Sequence, residues 1–154
     1  MRRAVLGGLV ACSAAWAGAL VWAPTVCSPP RQATETPAGR VAASLVYFAG
    51  SRVCHQREDR SFTWDGCPMP VCGRCAGLYL AAPAGLVVAG LRRRRPVTRA
   101  RRVLLLSTVP TAVTLAAEWT GAVPVGSLTR ALAALPLGLV VGWLGGAAVT
   151  GDLR

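Results

Sequence analysis

Four stretches of the chain are almost free of charge and run for most or all of the length a membrane crossing requires: Ala4 to Ala23, Pro70 to Leu91, Val103 to about Trp119, and Leu128 or Arg130 to about Val149. A helix needs about 20 apolar residues to cross the hydrocarbon layer. Residues 24–40 contain Pro24, Pro29, Pro30, Pro37 and Gly39, which predicts an irregular connection. Val41 to Ala49 is apolar but too short to span. It predicts a helix over about 41–52, lying in or just above the interface and leading into Cys54. Pro70 suits the first turn of the second span, Pro83 bends it, and Arg92 to Arg95 stop it. The pattern predicts an all-α fold, a transmembrane bundle of four helices with a short interfacial helix and a Cys-rich outer loop. Its parts are a first transmembrane helix at 1–23, an extracytoplasmic loop at 24–69, and a three-helix part at 70–154 with helices at 70–91, 103–119 and 128–149.

Composition supports a membrane protein. Charged residues make up 15% of the chain against about 25% in soluble domains, and the mean hydropathy is +0.47. All 17 basic residues are arginine, as codon bias in a GC-rich genome would give. The net charge of +11 raises nucleic acid as a partner, but its distribution argues against one. Seven arginines lie between Arg92 and Arg102, between two apolar stretches, which marks a short cytoplasmic loop facing anionic lipid headgroups. Placing both termini and this loop in the cytoplasm puts ten of the 17 arginines there. The expected location is therefore the cytoplasmic membrane, multi-pass, with the cysteine-rich passage outside. The first apolar run is longer than the roughly 7–15 residues of a signal-peptide core. Pro24 follows its one plausible cleavage site, and no small residue precedes Cys27, so this helix is read as retained. Gly85, Gly90, Gly138, Gly142, Gly145 and Gly146 offer close helix packing, and Trp22, Trp64 and Trp119 stand where interfacial anchors belong.

Chemistry is concentrated between Val53 and Leu78. The passage reads Cys54-His55-Gln56-Arg57, Arg60-Ser61, Cys67, then Pro70-Val71-Cys72-Gly73-Arg74-Cys75-Ala76-Gly77. Cys72 and Cys75, three apart at the start of a helix, share a face. The helix N-terminus and Arg74 both favour thiolates. A tetrahedral zinc site needs four soft or borderline donors. Cys54, Cys72 and Cys75 supply three, with His55 or Cys67 as the fourth; iron is the other ion considered. Neighbours such as Cys54 and His55 rarely bind one ion together without strain, which makes Cys67 the easier ligand on spacing. An outer face is also oxidising. Five cysteines (27, 54, 67, 72 and 75) lie there, with Cys12 inside the first span, so structural disulfides compete with a metal site and with a working redox pair. Glu118 and Arg130 fall at the outer ends of the third and fourth spans, where ionisable residues are paired or functional. Cys72, Glu118 and Arg130 are the candidate catalytic residues, whereas Glu58, Asp59 and Arg60 read as solvated loop charges.

These motifs resemble the predicted membrane proteins called domain of unknown function 2085. That family carries Cys-His-Gln, then Arg-Ser, then Pro-Val-Cys-x-Arg-Cys-x-Gly-x-Tyr opening a helix; here the matches are Cys54-His55-Gln56, Arg60-Ser61 and Pro70 to Tyr79. The resemblance covers roughly Val41 to Gly145. Glu118, with Gly121 two residues beyond its neighbour Trp119, departs from the family's adjacent Asp-Gly, while Arg130 fits the family's Arg before a glycine-containing helix. Cys67 lies outside the family pattern, which shifts weight to His55. The resemblance implies architecture and no activity.

Three functions follow as expectations. The first is a membrane protein with a metal or thiol site at the outer face. The second, by architectural analogy, is a quinone-linked thiol–disulfide oxidoreductase with Cys72 attacking and Cys54 or Cys67 relaying. The third is a non-catalytic scaffold with structural disulfides.

Overall fold

The computed structural model describes residues 1–28, 36–91, 99–121 and 123–152. It is mostly helical. Helix α1 spans Arg2–Cys27, α2 Pro37–Val53, α3 Gly73–Leu91, α4 Ala100–Trp119 and α5 Ser127–Thr150. Among these, α1, α3 and α5 are long and apolar enough to cross a membrane. At 1.5 Å per residue, the 26 residues of α1 reach roughly 39 Å. Three of the four expected spans meet that measure of length and composition, and the remaining one, α4, falls short of it. Helix α4 forms, but Ser107, Thr108, Pro110, Thr111, Thr114 and Glu118 dilute its apolar character below that of the others. Most of the arginine loop, residues 92–98, lies outside the described residues, as does much of the connection at 29–35.

A correction concerns residues 61–72, read as loop and helix start. They form an antiparallel hairpin, β1 Ser61–Trp64 and β2 Cys67–Cys72, with Trp64 opposite Cys67 and Thr63 opposite Pro68. Asp65 and Gly66 both take positive φ, 47° and 84°, as the two central residues of a type I′ turn must. Pro70 therefore sits in β2, and α3 begins at Gly73. Helix α2 starts one turn earlier than the apolar pattern indicated. The Thr36 side chain accepts the Gly39 N–H at 3.2 Å, and Pro37 fills a position with no N–H to satisfy.

Helices α3 and α5 run parallel with their backbones in contact. A Cβ on Gly77 would meet the carbonyl of Ala131, one on Gly85 the carbonyl of Leu139, and one on Gly142 the carbonyl of Ala82. Helix α4 joins through Thr111, whose hydroxyl donates to Ala133 O at 2.9 Å. Helix α1 packs on the hairpin and α3 through Leu20, Val71 and Ala76, all fully buried, with Trp16 edge-on to Tyr79. At the far end, Arg2 donates to Thr150 O at 3.0 Å, so the start of α1 and the end of α5 lie together. The hairpin, the end of α1 and the starts of α3 and α5 form the opposite end of the bundle.

Candidate metal and thiol site

Gln56 builds the site. It lies three residues past the end of α2 with a left-handed backbone (φ 48°), and its amide donates to Tyr47 O and Pro70 O, both at 2.8 Å. Gly50 makes the approach possible, because a Cβ there would collide with the Pro70 carbonyl. With α2 clamped to β2 in this way, the buried Cys54 Sγ accepts the Cys72 N–H at 3.2 Å. The donor atoms of Cys54, His55 and Cys72 all lie within 4.8 Å of one another. His55 is exposed and accepts the Arg57 N–H on Nδ1 at 3.2 Å, leaving Nε2 without that bond. Cys75, one turn further along α3 and half-buried, interacts electrostatically with Cys72 and Cys54 but stands outside the group of three donors that lie within 4.8 Å of one another. Hydrogen bonding from the Cys75 thiol, against the opposing effect of burial, holds the Cys72 thiol down at about 5; the Cys75 N–H, Cys54 and the His55 charge assist.

The alternative ligand Cys67 is bonded to Cys27 instead, with 6.1 Å between their Cα atoms. That bridge ties the end of α1 to the tip of the hairpin and takes Cys67 out of contention as a thiolate donor. Cys12, Cys54, Cys72 and Cys75 are free thiols. Adjacency had weighed against Cys54 and His55 acting together. The extended Cys54 backbone followed by the left-handed turn at Gln56 brings both donors to one point.

A second polar group lies on the other face of the first turn of α3. Glu118 Oε1 accepts from Arg74 Nη2 at 2.8 Å and from Arg130 Nε at 2.6 Å, and Arg60 Nη1 stands 3.9 Å from Oε2. Arg74, expected beside the thiolates, thus serves Glu118. Arg60, read as a solvated loop charge, turns inward toward the same carboxylate while its Nε lies 3.7 Å from Asp59. Residue spacing could not reveal Arg60, since the hairpin brings it to α4; its place in the Arg-Ser motif was the available signal. Ser61 of that motif donates to Arg57 O at 2.9 Å, and its own carbonyl accepts from Ser127 at 3.1 Å, linking the loop to α5.

An uncharacterized protein of Methanothermobacter thermautotrophicus is 29% identical over 87 residues, covering 56% of this chain and 78% of that protein. No solved structure matches the chain. The model of the family described as "Predicted membrane protein (DUF2085)" matches residues 54–144, from the first site cysteine into the second half of α5. The chain therefore belongs to the domain of unknown function 2085 family of membrane proteins.

Proposed function

We propose that this membrane protein holds a zinc ion at the outer end of its bundle, with Cys54, His55, Cys72 and Cys75 as ligands. One observation carries the reading: three donors on two separate segments lie within 4.8 Å of one another, and Cys75, one turn along α3 from Cys72, is the sulfur placed to complete the set. Three thiolates and an imidazole suit tetrahedral zinc, and suit it better than iron, whose mononuclear sulfur sites favour four thiolates. A depressed Cys72 thiol lowers the cost of deprotonating the first sulfur. His55 is the exposed member, so it is the ligand that a substrate or partner would displace. The Cys27–Cys67 disulfide favours placing this end in an oxidising compartment, with both termini in the cytoplasm. The full chain, purified in detergent without chelator, should carry about one zinc per molecule by elemental analysis, falling well below that in Cys54→Ser and Cys72→Ser. Metal-free protein with Cys72 and Cys75 joined to each other would reject the reading.

A second reading is favoured by the same bridge. An oxidised pair (Cys27 and Cys67) at one end of the hairpin and reduced Cys72 and Cys75 at the other would suit a quinone-linked thiol oxidoreductase. It predicts quinone-dependent oxidation of a small dithiol that disappears in Cys72→Ser; oxidation persisting in that variant excludes it.

A further inference from the structure

Three guanidinium groups gathered round one carboxylate leave more donors than acceptors. Arg74 and Arg130 share Glu118 Oε1, and Arg60 approaches Oε2 without a hydrogen bond. The buried N–H groups at Arg60 Nε, Arg74 Nε and Arg130 Nη1 have no acceptor, and Glu118 Oε2 has no donor. The side chains of Glu118 and Arg130 are 9% exposed, while Arg74 at 19% and Arg60 at 32% open the group toward the hairpin side. Even with Asp59 counted beside Arg60, positive charge is in excess. Unpaired charged donors at this depth are costly unless something else satisfies them.

We infer that Arg60, Arg74, Arg130 and Glu118 form a binding site for a protonated phosphate group, distinct from the cysteine cluster. Guanidinium N–H groups match phosphate oxygens in geometry and charge. The vacant Glu118 oxygen explains why the ligand must itself carry a proton. A hydrogen phosphate, or a phosphomonoester in its singly protonated form, offers one O–H to that oxygen and its remaining oxygens to the arginines. Sulfate, fully ionised at neutral pH, would set an acceptor against an acceptor. A phosphodiester has no such proton either. The same chemistry is available from free phosphate and from the headgroup of phosphatidic acid.

The test uses the full chain in two arms. In detergent, calorimetric titration with inorganic phosphate should give binding about tenfold or more tighter than sulfate at equal ionic strength. In lipid nanodiscs, phosphatidic acid should raise the melting temperature more than phosphatidylglycerol at the same mole fraction. Response in the first arm assigns free phosphate, and response in the second alone assigns the lipid headgroup. Arg60→Gln, outside the long helices of the bundle, should weaken the responding arm by about tenfold or more; Arg74→Gln should do the same, and Glu118→Gln should erase the preference for phosphate over sulfate, or for phosphatidic acid over phosphatidylglycerol. Failure of both arms overturns the inference. So does equal response to the protonated and unprotonated ligands, or binding that survives both Arg60→Gln and Arg74→Gln.

Discussion

Single side chains decide whether the cysteine cluster exists. Among the hydrogen bonds of the described residues Gln56 makes none to a sulfur, yet its two amide hydrogen bonds fix the distance between the end of α2 and β2. Gln56→Ala should leave the Tyr47 and Pro70 carbonyls short of a partner and cost about 1–3 kcal/mol. It should also lower zinc affinity, because Cys54 and Cys72 are no longer held together. Thermal melts and zinc competition on one detergent sample read both effects, and unchanged zinc affinity would remove Gln56 from the site. Cys72 carries a pH prediction. Its pKa is depressed to about 5, so the thiolate persists as pH falls from 8 to 6 and is lost only below that. Alkylation of Cys72 in metal-free protein should stay nearly flat over that range, whereas an ordinary thiol slows roughly a hundredfold. A steep decline would show an unactivated cysteine.

At the scale of elements, the hairpin is where pattern reading failed. Asp65-Gly66, preceded by Phe62, Thr63 and Trp64, is a hairpin signal in its own right. Pro68 and Pro70 obscured it, since proline is a poor strand residue in general. A two-stranded sheet has open edges on both sides, so a missing N–H can point outward at no loss, and both prolines are accommodated in β2. The Cys27–Cys67 bridge was illegible for a related reason: five cysteines permit many pairings, and only the register that puts Cys67 beside the turn selects Cys27. Cys67→Ser should reduce stability by about 2–4 kcal/mol while leaving bound zinc unchanged; a loss of zinc would return Cys67 to the ligand set. The α3–α5 crossing offers a sharper comparison. Gly77→Ala would drive a methyl group into the Ala131 backbone and should destabilise by about 1–3 kcal/mol, whereas Gly145→Ala meets nothing and should be neutral. Melting temperatures of the two variants side by side check this, and equal melting would contradict the close crossing.

For the whole molecule, the arrangement of ends matters most. Arg2 bonds to the end of α5, and the thiol cluster, the disulfide and the arginine–glutamate group all gather at the other end. Trp64 and Trp119 are strongly exposed at that same end, as interfacial aromatic residues would be. In the proposed orientation, which takes the arginine-rich segment between α3 and α4 as cytoplasmic, both termini should be cytoplasmic. A fluorescent protein that matures only in the cytoplasm, fused after residue 154, should therefore fluoresce; a dark fusion with normal expression would invert the molecule and move both sites to the inner face. The junction of β2 and α3 is shared by the two groups, Cys72 meeting Cys54 at the end of α2 and Arg74 meeting Glu118 on α4. A ligand that shifts this turn would be felt on both sides.

What the sequence determined by itself was the solvent the chain folds in and the passage where its chemistry lies. Long apolar runs, an arginine-dense segment and four cysteines with one histidine in a short polar stretch follow from composition along the chain, and hydrophobic transfer depends on little else. The tertiary structure decided which sulfurs pair, which ligands converge and where Arg60 and Arg74 point. Those outcomes depend on a two-residue turn, a left-handed glutamine and glycine contacts between backbones. Each acts over a few ångströms between segments far apart in the chain, a distance that spacing along the sequence does not measure.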